Sequence, residues 1–159
     1  MLRAKWSEFV LDAKTWVIPA ERMKAGREHR VPVLPAVMAL LEDLKTTDEF
    51  VFPGQTESKP LSNMAMEMCL RRTKMSHYTI HGLRSSFRDW VGEATLFQSD
   101  VAEMALAHIV GSATERAYRR GNAFDKRQEL MMAWAAYCAG EHHVREQLAA
   151  ADPNPDPTA

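Results

Sequence analysis

The fold is decided by the segment at residues 79–90, which reads TIHGLRSSFRDW. A short β-rich run leads into it, and the residues that follow read as a helix over about 83–93. His81 and Arg84 are three residues apart, so one helical turn places both side chains on the same side. Arg84 offers a planar fork of donors for two oxygens of one phosphate, and His81 can exchange a proton near neutral pH. A capping histidine and a salt-bridged arginine explain the same residues equally well.

A second pattern joins a histidine to a tyrosine ten positions further along the chain. His108 lies at the end of a helix predicted over 100–107, and Gly111 suits the end of the turn that follows. Nearby positive charge favours the phenolate form of a tyrosine such as Tyr118. Three arginines flank Tyr118: Arg116, Arg119 and Arg120. A packed aromatic ring with its hydroxyl at the surface is the alternative interpretation.

The charge pattern is more informative than the total charge. The formal net charge is −1, which is weak support for a nucleic-acid partner, because DNA-binding proteins usually carry excess lysine and arginine. No Asp or Glu occurs from Leu70 to Arg88, where five cations lie: Arg71, Arg72, Lys74, Arg84 and Arg88. The stretch fits one face turned towards phosphate, and a solvated charged face is the alternative.

The remaining patterns predict a mainly helical α+β domain with a small antiparallel sheet near the N-terminus. β-rich runs predict strands over 9–11, 15–18 and 30–33, with Pro32 limiting the last strand to an edge of the sheet. Lys24 then lies in or beside a β-hairpin turn, held out from the sheet. Helices are predicted over 35–45, 62–72, 83–93, 100–107 and 113–119, and from about 125 onwards.

Composition excludes several classes of protein. The 159 residues suffice for one compact domain, and no apolar run approaches the ~20 residues of a membrane span. The N-terminus has no apolar signal region. Cys69 and Cys138 are too few for a disulfide framework, and we expect buried, reduced thiols. The methionines at 62–72, Met64 and Met68 among them, are expected to fill the core of a helix capped by Ser62.

Taken in order, Lys24, His81-x-x-Arg84, His108 and Tyr118 resemble the tyrosine recombinase (phage integrase) family, in particular its satellite-phage and genomic-island branch. The resemblance runs from about residue 6 to residue 138. The segments that match it lie at residues 16–24, 30–33, 60–64, 79–90, 106–108, 115–120 and 130–134. Several blocks in the right order are far more specific than any one motif.

The resemblance implies a role for each of these five residues. Tyr118 matches the nucleophile that forms a 3′-phosphotyrosine, and Arg84 matches an arginine that binds the non-bridging phosphate oxygens. His81 matches the histidine that handles the tyrosine proton or helps to hold the phosphate. Lys24 matches the lysine that protonates the leaving 5′-oxygen, and His108 matches a histidine that contacts the phosphate or braces the site. This chemistry implies no cofactor and no metal.

The resemblance also implies partners. These are double-stranded DNA attachment sites, further integrase protomers in a tetramer on DNA, and accessory DNA-bending proteins, with no membrane and a location on DNA in the bacterial cytoplasm. Seven cations are expected to contact DNA: Arg71, Arg72, Lys74, Arg88, Arg116, Arg119 and Arg120.

One feature of the family is missing from the 159 residues. A further catalytic arginine, in an Arg-x-Gly-Glu-like box, has no match, and Arg3 lies too close to Trp6 to be that residue. We therefore expect residues 1–140 to form an N-terminally truncated catalytic domain, impaired in activity, and 141–159 to be an extension with a disordered end. A non-enzymatic DNA-binding remnant is the alternative. A metallo-nuclease would need a carboxylate cluster, and the sequence has none.

Overall fold

The computed structural model describes residues 2–45, 48–56, 58–111 and 123–141. Within these ranges it contains one three-stranded antiparallel sheet and five α-helices. The prediction of a mainly helical α+β domain with a small N-terminal sheet is confirmed. The predicted helix at 113–119 lies outside the described residues.

The sheet consists of β1 (Phe9–Val10), β2 (Thr15–Ile18) and β3 (His29–Pro32), paired in that order. Lys14 takes a left-handed backbone, φ 47°, in the tight turn between β1 and β2. Pro32 ends β3 opposite Thr15, at the edge of the sheet, where a missing backbone donor is tolerated as predicted.

The helices are α1 (Pro35–Asp43), α2 (Ala65–Arg72), α3 (Ile80–Ala94), α4 (Ser99–Ala105) and α5 (Phe124–Cys138). α1 begins at a proline, whose fixed φ and missing N–H suit the first turn of a helix. The predicted cap of α2 is wrong. α2 begins at Ala65, and Met64 occupies the N-cap position without a side-chain hydrogen bond. Ser62 contributes only its backbone carbonyl, which accepts a hydrogen bond from the Ala65 N–H in the preceding turn.

Two hydrophobic clusters hold the described chain together. The first joins the sheet region to α1, and its buried members are Ala4, Val33, Leu41 and Val51. The second joins α3, α4 and α5, and its buried members are Phe87, Trp90, Val91, Val101, Ala102 and Leu130. Trp134 of α5 packs against this second cluster, with its ring 5.0 Å from Trp90 and edge-on to Phe87 at 5.4 Å. Because the second cluster includes buried residues of both α3 and α4, it fixes these two helices, which carry the site, against each other.

A buried arginine connects α5 to the sheet. Arg127 is only 2% exposed and donates a hydrogen bond to the carbonyl of Arg30 at 2.8 Å. Its guanidinium also lies over the ring of Phe124, 5.5 Å from the centroid. Burial, followed by repulsion from Arg30, lowers the pKa of Arg127. Burial and the charge of Arg127 lower the pKa of His29, although a hydrogen bond to the Ala105 carbonyl opposes them.

Two expectations about burial are wrong. Met64 and Met68 are exposed, and α2 buries none of its residues, so these methionines do not fill the core. Cys69 and Cys138 are also exposed. Composition shows which residues suit a core, but burial depends on what packs against a helix, and a local pattern does not contain that information.

Candidate functional site

α3 begins with a hydrogen-bonded cap. The Thr79 side chain accepts a hydrogen bond from the backbone N–H of Gly82 at 2.9 Å, so the helix starts at Ile80, three residues before the predicted start. A β-carbon on Gly82 would lie 3.1 Å from the Thr79 hydroxyl oxygen, which favours glycine there. The cap places His81 and Arg84 near the start of the helix, where both side chains are exposed.

α4 ends in a Schellman motif. The Ala107 N–H donates to the Met104 carbonyl at 3.1 Å, and the His108 N–H donates to the Glu103 carbonyl at 2.9 Å. The motif requires a left-handed residue at position 107, and Ala107 has φ 60°. It reverses the chain immediately before His108 and leaves the Leu106 carbonyl outside the helical hydrogen bonds.

Arg84 binds this helix end. Its Nη2 donates to the Leu106 carbonyl at 2.8 Å and lies 3.0 Å from Nε2 of His108. A cation is favoured at the C-terminal end of a helix, where carbonyl groups without helical partners concentrate negative charge. The structure therefore brings together two of the predicted site residues, which are 24 positions apart in the sequence.

The contact between Arg84 and His108 determines where the proton of the imidazole lies. A guanidinium has five N–H donors and no acceptor, so Nε2 of His108 must present its lone pair to Arg84. The ring proton is then on Nδ1, which donates to Oε2 of Glu103 at 2.5 Å. We therefore assign His108 as the neutral Nδ1–H tautomer from its hydrogen bonds.

Glu103 extends the network back to α3. Its second oxygen, Oε1, accepts a hydrogen bond from Nε of Arg88 and forms an ion pair with it. The hydrogen bonds from His108 and then from Arg88 lower the pKa of Glu103. Because the Arg88 and Glu103 side chains are 40% and 27% exposed, water screens this pair and its contribution to stability is small.

The guanidinium of Arg84 keeps donors for a ligand. The contacts with the Leu106 carbonyl and with His108 use both hydrogens of Nη2, and within the described residues Nε and Nη1 donate to nothing. The side chain is exposed, so these three N–H groups can reach a ligand from solvent. An anchored guanidinium with a free edge suits two oxygens of a phosphate group.

Lys24 lies in the connection between β2 and β3, as predicted. A short helical turn at Ala20–Arg22 leads into a reverse turn in which the Gly26 N–H donates to the Met23 carbonyl at 2.9 Å. The Lys24 side chain is exposed.

The base of this connection is held by Glu8, whose side chain is only 8% exposed. Glu8 forms an ion pair with Arg22 and accepts a hydrogen bond from Nε1 of Trp16 at 2.9 Å. It ties the connection to β2 two residues before Lys24.

The other predicted residues are not all joined to the pair of Arg84 and His108. In the described parts of the chain, neither Lys24 nor His81 forms a hydrogen bond or ion pair with it. Three of the predicted DNA-binding cations are exposed at the end of α2: Arg71, Arg72 and Lys74. Four predicted residues lie outside the described ranges: Arg116, Tyr118, Arg119 and Arg120.

Sequence reasoning missed the parts of the site that depend on the backbone. The contact of Glu103 with His108 is one of them, because the two residues are five positions apart and a regular helix would not bring them together. The left-handed residue at Ala107 makes the contact possible. Glu8 carried no recognisable signal, since its two partners are 8 and 14 positions away.

Two features are absent from the described residues. They contain no group of three His, Cys, Asp or Glu side chains placed to bind a metal ion. None of their helices combines the length and the apolar character that crossing a membrane requires.

Comparison with known proteins gives consistent matches. The model of the phage integrase family matches residues 1–123. Prophage integrase IntA of Escherichia coli is 35% identical over 137 residues, which cover 83% of this chain and 33% of that protein. The integrase of Enterobacteria phage P4 is 32% identical over 154 residues, which cover 84% of this chain and 35% of that protein.

Prophage integrase IntZ of Escherichia coli is 34% identical over 135 residues, covering 82% of this chain and 33% of that protein. The chain therefore spans about a third of the length of the curated relatives it matches. No solved structure matches it significantly.

Proposed function

The chain belongs to the phage integrase family of tyrosine recombinases, and from that membership we propose that it takes part in site-specific recombination by cutting and rejoining DNA. The observation that carries the proposal is the anchoring of Arg84. Its guanidinium is fixed by the Leu106 carbonyl and by His108, and its remaining donors are open to solvent. Donors fixed in advance stabilise charge that develops on a phosphate without reorganising during the reaction.

The proposed reaction is a transesterification. The Tyr118 oxygen attacks the phosphorus, a tyrosyl O–P bond forms at the 3′ side and the bond to the 5′-oxygen breaks. His81 accepts the phenol proton, and Lys24 donates a proton to the leaving 5′-oxygen. Attack by a 5′-hydroxyl on the phosphotyrosine reverses these steps, so the phosphodiester energy is conserved and rejoining needs no nucleotide.

The described network supports distinct roles for the remaining two residues. Arg84 binds the non-bridging oxygens through Nε and Nη1. His108 braces Arg84, because its Nε2 lone pair accepts one of the two Nη2 hydrogens. The exposed cations at the end of α2 would contact the backbone of the duplex away from the reacting phosphate.

The proposal extends to partners of the whole recombinase. These are double-stranded attachment sites, further protomers in a tetramer, and DNA-bending accessory proteins, with the protein on DNA in a bacterial cytoplasm.

We further propose that residues 1–140 are the catalytic domain and 141–159 an extension. Because the 159 residues contain no match to the Arg-x-Gly-Glu-like box, this chain by itself should cleave more slowly, by about 10²- to 10³-fold.

The same missing match favours a second candidate, a non-enzymatic DNA-binding remnant. A library of nicked duplexes with randomised sequence around the nick separates the two, because a nick close to the cleavage site traps the covalent intermediate. A protein–DNA adduct on a denaturing gel with the wild type, and none with Tyr118→Phe, supports the enzyme. Retention of DNA without any adduct would establish the remnant instead.

A further inference from the structure

We propose that Glu103 is a positioning residue of the cleavage reaction, which holds His108 in the Nδ1–H tautomer so that Nε2 faces Arg84. The inference rests on the proposed function for its catalytic consequence. Its structural half rests only on contacts within the described residues.

Each oxygen of Glu103 has its own donor. Oε2 accepts from Nδ1 of His108 at 2.5 Å, and Oε1 accepts from Nε of Arg88. Arg88 belongs to α3, whereas His108 follows the end of α4. The carboxylate therefore joins the two helices at the same place where Arg84 binds the Leu106 carbonyl.

The site requires a carboxylate because both of its partners are donors. A glutamine at position 103 has one acceptor oxygen and one NH₂ group, so it can satisfy either Arg88 or His108 but not both. If the oxygen faces Arg88, the NH₂ group faces Nδ1 of His108. The imidazole must then carry its proton on Nε2, where it meets a hydrogen of the Arg84 guanidinium.

Two hydrogens facing each other between His108 and Arg84 would weaken the anchoring of Arg84. Arg84 would lose one of its two anchors and gain freedom to turn away from the phosphate. Contacts along the rest of the duplex would be unchanged, and they supply most of the affinity for DNA. We therefore expect the loss of Glu103 to reduce the rate of cleavage far more than the binding of DNA.

The tautomer can be measured without DNA. In the protein labelled with ¹⁵N-histidine, the side-chain spectrum should show a protonated Nδ1 and an unprotonated Nε2 for His108, assigned by its loss in His108→Gln. Glu103→Gln should move the proton wholly or partly to Nε2. Arg88→Met and Glu93→Gln should leave the Nδ1–H tautomer intact, since Arg88 does not touch the ring and Glu93 lies exposed in α3. A protonated Nε2 in the wild type, or an unchanged spectrum together with a reduced rate of cleavage in Glu103→Gln, would overturn the inference.

The catalytic half is measured as the single-turnover rate of adduct formation on the nicked duplex. Glu103→Gln should reduce this rate by about 10- to 100-fold, by analogy with the loss of the partner that orients a metal-binding histidine. DNA affinity should change little, and Glu103→Asp should restore part of the rate. A Glu103→Gln rate equal to that of the wild type would contradict a positioning role.

Failure of the two proposals can be told apart. If the wild type forms no adduct, the proposed function fails, and the histidine spectrum alone then decides the role of Glu103. If Glu103→Gln lowers the rate while the folded protein keeps the Nδ1–H tautomer, the loss comes from reduced stability, and the inference is wrong.

Discussion

Replacing Ala107 with glycine should stabilise the chain. The backbone of Ala107 is held at φ 60°, a left-handed conformation that a side chain disfavours and glycine adopts freely. The position follows the C-cap of α4 in a Schellman motif, where glycine is the usual residue. The hydrogen bonds of the motif are made by backbone groups, so the substitution leaves them and the placement of His108 intact.

The expected magnitude is the difference of two opposing effects. A left-handed backbone costs an alanine about 1 kcal/mol, which glycine avoids. Glycine also gives the unfolded chain more freedom, and this offsets about 0.5 kcal/mol. The net gain is about 0.5 kcal/mol in the free energy of unfolding, equivalent to an increase of about 1–2 °C in Tm for a chain of this length.

Matched controls come from two other helix ends. α2 and α5 also finish in Schellman motifs, with Lys74 at φ 58° and Gly140 at φ 81° in the same position. Lys74→Gly should stabilise by a similar amount. A β-carbon on Gly140 would meet no atom within 4 Å, so Gly140→Ala measures the backbone effect alone and should destabilise by about 0.5 kcal/mol.

The measurement is urea unfolding followed by tryptophan fluorescence, with the slope of the transition checked for constancy. Destabilisation by Ala107→Gly, together with the expected loss in Gly140→Ala, would refute the reasoning. It would mean that packing of the Ala107 methyl group contributes more than the left-handed backbone costs.

Three further predictions concern the site and its supports. Arg84→Lys keeps the charge but replaces the fork with one nitrogen, so adduct formation on the nicked duplex should slow by about 10²- to 10³-fold; an unchanged rate would place the guanidinium outside the reaction. Because burial and Arg127 lower the pKa of His29 below its ordinary 6.5, the unfolded chain takes up a proton more readily than the folded one, and stability should fall as pH drops below about 6.5. His29→Gln should flatten that dependence in urea unfolding at a series of pH values, and equal slopes in both proteins would contradict it. Glu8→Gln leaves one of two partly buried donors, Trp16 Nε1–H or the Arg22 guanidinium, without its acceptor, and should lower the free energy of unfolding by about 1 kcal/mol. A free energy of unfolding equal to that of the wild type would show that water satisfies the donor instead.

The amino-acid sequence alone determined the order and type of the described strands and helices. β-rich runs and helical spacing reflect interactions within a few residues, so β2 was placed correctly and α3 was missed only at its capped start. The order of Lys24, His81, Arg84, His108 and Tyr118 also identified the family, because several spaced motifs in one order are more specific than any of them alone.

Only the tertiary structure decided which side chains meet. The acceptor of Arg84 is a backbone carbonyl 22 residues away, which no side-chain pattern reveals. The contact of Glu103 with His108 depends on one left-handed residue, Ala107. Such contacts are set by how α3 packs against α4, and the free energy of that packing is shared among distant apolar residues. Local sequence therefore specifies the elements, whereas the geometry of the site follows from their packing.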